Sequence, residues 1–220
     1  MFDNFKGESF KFYRKWLLNT TENELKVLIL VSSNQKIRKK YSGTLTDMCK
    51  WLDVKTSKYT NDNIKEAIQS LSNKNYISYN KVGNTWNIEV IEDETDEIFY
   101  FRYCWLEAIK SFNKDENGKR IDKKLSISWI KLVRIFVYLF EYISGDTVYK
   151  YIDIANVVNM SEGTLGVAFK ALQSIYLDSI LIEKQTVKKA IQPYDTAQNI
   201  SYRNIGSKFT TGFNWNNTGK

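Results

Sequence analysis

A pentapeptide that occurs in two nearly identical copies constrains the fold more than any other feature of this sequence. It reads AIQSL at residues 67–71 and ALQSI at residues 171–175, an offset of 104 residues. Both copies lie in stretches whose apolar residues recur at the spacing of an amphipathic helix. Since 220 residues suffice for two domains of about 100 residues each, we interpret the pair as two copies of one helical module.

The residues before each pentapeptide match as well, which extends the repeat. Asp47–Val54 (DMCKWLDV) aligns with Asp153–Met160 (DIANVVNM) at an offset of 106 residues. The seventh residue of each stretch, Asp53 or Asn159, tolerates the left-handed conformation of a tight turn between two helices. Because the offset falls from 106 to 104 residues before the pentapeptide, we expect the first copy to have a turn longer by two residues at Lys55–Tyr59.

Helix and hairpin patterns surround the first copy. Thr21–Glu24 (TENE) is a capping box that precedes an apolar helical face. After the third helix, residues 76–90 alternate apolar and polar on either side of a turn at Lys81–Asn84 that carries Gly83, which is typical of a β-hairpin. In the second copy, residues 130–140 have the spacing of a long apolar helix. The sequence therefore predicts a first module of three helices followed by a hairpin, and a second module with a corresponding long helix.

This order of elements resembles a winged helix-turn-helix. Small residues, Cys49 and Ala155, stand where the two helices of the turn must approach closely, and Ser161 stands where the next helix needs a cap. Over roughly residues 20–90 and 126–190, the chain resembles tandem winged-helix DNA-binding proteins, among them the replication initiators and replisome organisers of plasmids and phages. The resemblance implies a fold that is mainly α with small β-hairpins (α+β), with two winged-helix domains in tandem.

Charge divides the chain along its length. Residues 1–91 carry 15 Lys and Arg against 9 Asp and Glu, and the run Glu92–Glu97 then places five acids in six residues. Such a run repels itself and favours a solvated connection. We expect four segments: a first winged-helix domain at 1–91, an acidic and polar linker with the start of the second module at 92–124, a second winged-helix domain at 125–195, and a C-terminal arm or tail at 196–220.

Composition excludes most catalytic and metal sites. The chain has no histidine and only two cysteines, Cys49 and Cys104, which removes Ser-His and Cys-His nucleophiles and the usual zinc sites. Asn113–Lys124 resembles the start of a calcium loop, but Lys124 stands where a bidentate Glu is required. We therefore expect no metal, no cofactor and no enzymatic activity, although a pair of carboxylates in a concave pocket would still allow catalysis.

The lengths and positions of the apolar stretches indicate the cellular compartment of the protein. The longest of them fall short of the roughly 20 residues that a membrane span needs. The N-terminal residues MFDNFKGESF include Asp3 and lack the apolar core of a secretory signal. We expect a soluble, cytoplasmic protein with no membrane partner, and the net charge of +7 permits double-stranded DNA as the partner.

The first module offers polar and basic residues where a DNA-binding helix and its wing would need them. Asn pairs bidentately with adenine, and Lys supplies sequence-independent attraction to phosphate. The wing tip would reach the neighbouring minor groove or the backbone. The candidate DNA-binding residues of this module are Lys39, Lys40, Lys55, Ser57, Lys58, Tyr59, Asn61, Asn63, Lys65, Lys81 and Asn84.

The second module has fewer basic residues on the corresponding helix. Glu162 stands at its start, and Gly163 and Gly166 would allow close approach of a DNA or protein backbone. A structural or dimerising role is therefore the alternative to DNA contact for this half. Its candidate DNA-binding residues are Ser161, Thr164, Lys170, Gln173, Lys184 and Lys188.

The resemblance leaves more than one function open. Sequence-specific binding of double-stranded DNA in the replication of a plasmid or phage is the primary hypothesis. A transcriptional regulator on the same fold is the first alternative. A winged-helix module that assembles proteins without reading DNA is the second, and its mark would be a recognition surface that is not basic. A homodimer and the replication or transcription machinery are the corresponding protein partners.

Overall fold

The fold is mixed helix and strand, with small antiparallel sheets, and therefore belongs to the expected α+β class. The computed structural model describes residues 9–38, 40–114, 118, 121–122, 126–142, 149–175, 180–191 and 201–213. The chain divides into two compact units, Met1–Leu106 and Glu107–Lys220.

The first unit holds a helical module flanked by two extended segments. Its elements are β1 (Ser9–Tyr13), α1 (Arg14–Asn19), α2 (Glu22–Arg38), β2 (Tyr41–Gly43), α3 (Leu45–Trp51), α4 (Lys58–Asn73), β3 (Ile77–Val82), β4 (Thr85–Val90) and β5 (Ile98–Arg102). The predicted capping box begins α2, because the Thr21 backbone N–H donates to Glu24 Oε2 at 2.6 Å and the Glu24 N–H donates to Thr21 Oγ1 at 3.3 Å. α5 (Tyr103–Ser111) spans the boundary between the units.

The predicted hairpin is confirmed and belongs to a three-stranded sheet. β3 pairs with β4 around a two-residue loop, in which Gly83 has a φ of +59° that glycine adopts at little cost. β2 pairs with the other side of β4, with Tyr41 opposite Ile88, so that the strand order is β2-β4-β3. The short strand before α3 therefore joins the hairpin to the helices.

The core of the first unit forms around α2. Leu25 and the run from Val27 to Val31 are almost completely buried, which is typical of a helix packed on several sides. α4 presents the predicted stripe of Ile64, Ala67, Ile68 and Leu71 to this core. Burial of the stripe leaves the opposite face of α4 in solvent.

The acidic run Glu92–Glu97 was expected to form a solvated connection, but its side chains contact the beginning of the chain. Glu92 pairs with Lys11 at 2.6 Å, Asp93 pairs with Lys15 at 2.6 Å, and Glu97 pairs with Arg14. These cations neutralise the self-repulsion from which a linker was inferred. The chain continues into β5, which pairs antiparallel with β1 inside the first unit.

The described part of the second unit also has helices followed by two paired strands. Its described helices and strands beyond α5 are α6 (Trp129–Tyr142), α7 (Tyr151–Val157), α8 (Glu162–Ser174), β6 (Ile180–Ile191) and β7 (Ser201–Phe213). β6 and β7, described by their backbone alone, pair antiparallel with a register shift between Val187 and Lys188. Residues 201–213, expected in an arm or tail, thus form a strand of this unit, while residues 192–200 and 214–220 lie outside the described part of the chain.

The two turns between helices have the same backbone geometry. Asp53 and Asn159 both adopt the left-handed conformation, with φ of +57° and +53°. In each copy the next residue donates its N–H to the carbonyl of the residue five positions earlier, at 3.0 Å for Val54 and 2.8 Å for Met160. The predicted turn residues are confirmed, and the repeat is visible in the backbone itself.

The caps of the following helices match as closely. Ser57 Oγ accepts from the Thr60 N–H at 3.1 Å, and Ser161 Oγ accepts from the Thr164 N–H at 3.2 Å. In both copies the two hydroxyls are also 2.9 Å apart. The first copy has two additional residues, Lys55 and Thr56, between the turn and the cap, so the longer turn expected there is confirmed.

Candidate nucleic-acid interface

The N-terminal end of α4 and the residues before it form an exposed part of the predicted interface. Lys55 and Lys58 are exposed, and Tyr59 is 77% exposed. Ser57 is exposed too, but its side chain caps the helix. Two cations and an aromatic ring are therefore presented to solvent at one end of α4.

The two candidate asparagines of α4 are less exposed than the lysines. Asn61 and Asn63 are both half-buried. The Asn61 amide oxygen lies 3.5 Å from Cys49 Sγ, which can donate a weak hydrogen bond to it. Asn61 therefore contacts α3, the preceding helix of the turn, and the buried Cys49 occupies the position where a small residue was expected.

Lys65 forms an ion pair on the outer face of α4. Its Nζ lies 2.9 Å from Asp62 Oδ1, and the hydrogen bond from Lys65 holds the pKa of Asp62 below its usual value. Glu66 is also exposed on this helix. Sequence reasoning missed both acids because it considered the lysines alone, although the i, i+3 spacing of Asp62 and Lys65 was a visible signal.

The hairpin tip lies at the end of the three-stranded sheet. Lys81 is exposed and its Nζ lies 5.4 Å from the centre of the Trp86 ring, an arrangement that favours the cation. Asn84 is exposed in the loop, next to Val82, an exposed aliphatic residue that the sequence had not indicated. The tip is thus polar and carries one positive charge with one apolar side chain.

One further candidate cation precedes β2. Lys40 is exposed and borders a cavity of about 260 Å³ that is otherwise lined by hairpin residues, among them Tyr79, Asn80 and Glu89. Lys39 lies outside the described residues. The helix end, the hairpin and Lys40 all belong to one compact unit, in which β2 joins the hairpin strands to the helices.

The second unit carries its candidates on α8 and β6. Lys170 and Gln173 are exposed on α8, and Ser161 and Thr164 form its cap. Lys184 and Lys188 lie on β6, opposite Phe209 and Asn204 of β7. The described positions are compatible with an exposed helix followed by a hairpin, as in the first unit.

The first residues of α8 differ in charge and size from those of α4. At the offset of 104 residues, Glu162 replaces Lys58 and Gly163 replaces Tyr59. The preceding helix, α7, exposes Ile152 by 46% and Val157 by 39%. The second unit therefore presents an acidic and partly apolar surface where the first presents lysines and an aromatic ring.

Two other kinds of feature are absent from the described part of the chain. Those residues contain no group of three or more His, Cys, Asp or Glu side chains that could hold a metal ion. None of the described helices combines the length and the apolar character that crossing a bilayer requires. In comparisons with known proteins, the chain matches no family model, no curated protein and no solved structure.

Proposed function

We propose that the protein binds double-stranded DNA in a sequence-specific manner through a winged helix-turn-helix in its first unit. In this proposal α4 is the recognition helix, which lies in the major groove, and the β3–β4 hairpin is the wing. Lys55 and Lys58 contact phosphates at the groove edge, and Lys81 and Asn84 contact the neighbouring minor groove or backbone. The second unit is the second winged-helix module of a tandem pair.

One observation carries the proposal: the order and pairing of elements from α2 to β4. A helix, a short strand, two helices joined by a tight turn and a hairpin follow one another, and the short strand completes the sheet beside β4. Within this framework the second helix of the turn buries one stripe and exposes its N-terminal end with Lys58 and Tyr59. An exposed helix end with lysines next to it suits entry into a major groove.

We further propose a role in the replication of a plasmid or phage, as an initiator or replisome organiser. Two modules in tandem suit repeated binding sites, because each module can engage one site and the covalent connection raises the effective concentration of the second. A transcriptional regulator is the alternative role. The two are separated by placing repeated copies of the selected DNA site on a circle that lacks its own origin: replication supports the first role, and reporter repression without replication supports the second.

The α7–α8 surface favours a second function for the second unit. Glu162 would repel phosphate, while Ile152 and Val157 expose apolar area on the adjacent helix. A protein partner, including another copy of this chain, suits such a surface better than DNA does. Under this alternative the second unit assembles a complex and the first unit supplies the DNA contacts.

Binding of a labelled random-sequence duplex across a salt series tests the DNA proposal. We expect the wild type to bind at low salt and to weaken linearly in log affinity against log salt concentration. Lys55→Gln/Lys58→Gln should flatten this slope by about 1.8, since each lost phosphate contact removes about 0.9. Lys170→Gln on α8 is the matching variant of the second unit: a flattened slope assigns DNA contacts to that unit as well, whereas an unchanged slope assigns them to the first unit. Absence of wild-type binding at low salt would refute the proposal.

A further inference from the structure

An ion pair between Asp62 and Lys65 lies near the middle of the exposed face of the proposed recognition helix. Asp62 Oδ1 and Lys65 Nζ are 2.9 Å apart, and the two side chains are 43% and 46% exposed. The stripe that packs α4 into the core lies on the opposite side of the helix. Both charged ends are therefore available to a ligand that approaches this face.

The pair matches the donor and acceptor groups of one kind of base pair. In the major groove a C·G pair presents the cytosine N4 amine, which donates, next to guanine O6 and N7, which accept. N4 and O6 are joined by a Watson–Crick hydrogen bond and so lie about 2.9 Å apart. The Asp62 carboxylate and the Lys65 ammonium have the complementary order, with an acceptor next to a donor at the same spacing.

The Asp62–Lys65 ion pair fits a T·A base pair poorly. The only major-groove donor of T·A, adenine N6, lies between two acceptors, adenine N7 and thymine O4. A carboxylate directed at N6 is repelled from both sides, while the thymine methyl group borders the position of the ammonium. At a C·G pair, the cytosine amine has an acceptor on one side only, and the ammonium reaches both O6 and N7 of guanine.

We infer that Asp62 and Lys65 together read a C·G base pair in the major groove, with Asp62 accepting from cytosine N4 and Lys65 donating to guanine O6 and N7. The inference rests on the proposed DNA binding and names part of the sequence that the first unit selects. Asp62 acts in it as a specificity residue, because its charge opposes phosphate and lowers affinity for DNA in general. The matching position of the second unit is Gly166, so that unit has no equivalent pair.

The test uses duplexes selected from a random library by the full-length protein. Each base pair of the selected site is then replaced in turn, and the affinities of wild type, Asp62→Asn and Asp62→Ala are measured. Glu66→Gln is the matched control, because Glu66 is an exposed acid on the same helix.

For the wild type we expect one C·G position at which replacement by T·A weakens binding about tenfold, the size of one good side-chain contact to a base. Asp62→Ala should remove most of that penalty and tighten binding to random duplex, whereas Glu66→Gln should keep the penalty. Asp62→Asn should shift the preference towards adenine, which an amide can pair with bidentately.

Two results would overturn the inference while leaving DNA binding intact. One is a selected site with no C·G pair at which replacement weakens binding. The other is full discrimination retained by Asp62→Ala. Failure of the proposed function is a separate outcome, since it means that no duplex binds at low salt.

Discussion

Replacement of Glu24 by Ala tests how α4 is held in position. The Glu24 side chain is 4% exposed and lies at the start of α2. Its carboxylate accepts hydrogen bonds from the Thr21 N–H at 2.6 Å, from Ser70 Oγ at 2.6 Å and from Lys74 Nζ at 2.7 Å. Since Ser70 and Lys74 lie at the end of α4, this one carboxylate joins the beginning of α2 to the proposed recognition helix.

The expected loss in the free energy of unfolding follows from these three hydrogen bonds. Loss of the cap bond from the Thr21 N–H is worth about 1 kcal/mol, and each of the two hydrogen bonds from Ser70 and Lys74 to the buried charge contributes about 1.5 kcal/mol. Lys74 is 37% exposed, so in the variant its ammonium recovers part of the lost hydrogen-bond energy by binding water. We therefore expect the free energy of unfolding to fall by about 3 kcal/mol, with a Tm lower by more than about 10 °C for a unit of this size.

The pH dependence provides a second measure of the same network. Burial raises the pKa of Glu24, but the hydrogen bonds from Lys74, Ser70 and Thr21 outweigh it and leave the pKa below its usual value. A carboxyl with a lowered pKa in the folded state stabilises the protein at neutral pH, and this contribution disappears as the pH falls through that pKa. The difference between wild type and Glu24→Gln should therefore shrink in acid.

Urea unfolding followed by tryptophan fluorescence at several pH values measures both effects. Glu66→Ala, which removes an exposed acid from α4, is the control and should change stability by less than about 0.5 kcal/mol. The reasoning is refuted if Glu24→Ala costs no more than this control.

Two further predictions concern the proposed recognition helix and the second turn. Lys58→Ala should reduce the salt slope of DNA binding by about 0.9, whereas Lys65→Ala should reduce it less, because Lys65 already pairs with Asp62; equal reductions in a salt titration would contradict this. Asn159→Gly should leave stability nearly unchanged and Asn159→Ala should cost about 1 kcal/mol, since only glycine adopts the observed φ of +53° freely. Denaturant unfolding of both variants checks the second prediction, which fails if Ala is tolerated as well as Gly.

The features predicted correctly from the sequence are those with a local physical cause. A left-handed turn needs residues such as Asp53 or Asn159, a hairpin loop needs a residue such as Gly83, and a capping box needs an acid three residues after Thr21. Each pattern occupies a few neighbouring positions and has few alternative explanations. The apolar stripe of α4 belongs to the same class, because a helix that buries one face has apolar residues every three or four positions, and this spacing is visible in the sequence.

The features that were missed depend on residues distant in sequence or on neighbouring charges. β5 follows an acidic run that looked like a linker, and only the cations of the N-terminal segment make that run part of a packed unit. The strand β2 is three residues long, which is too short for an alternating pattern. Asp62 was overlooked because a lysine counted alone appears free to bind phosphate, while the helix places an acid beside it.

The pairing of β1 with β5 has a consequence for the order in which the first unit can be completed during synthesis. Phe12 of β1 lies opposite Phe99, and Phe10 lies opposite Phe101, so the partner strand is synthesised only after the hairpin. Until then a nascent chain holds an apolar strand with an open edge, which favours association with other chains. A gene fragment that stops at residue 91 reproduces this intermediate permanently, and a fragment of the first unit made for expression must extend through Leu106.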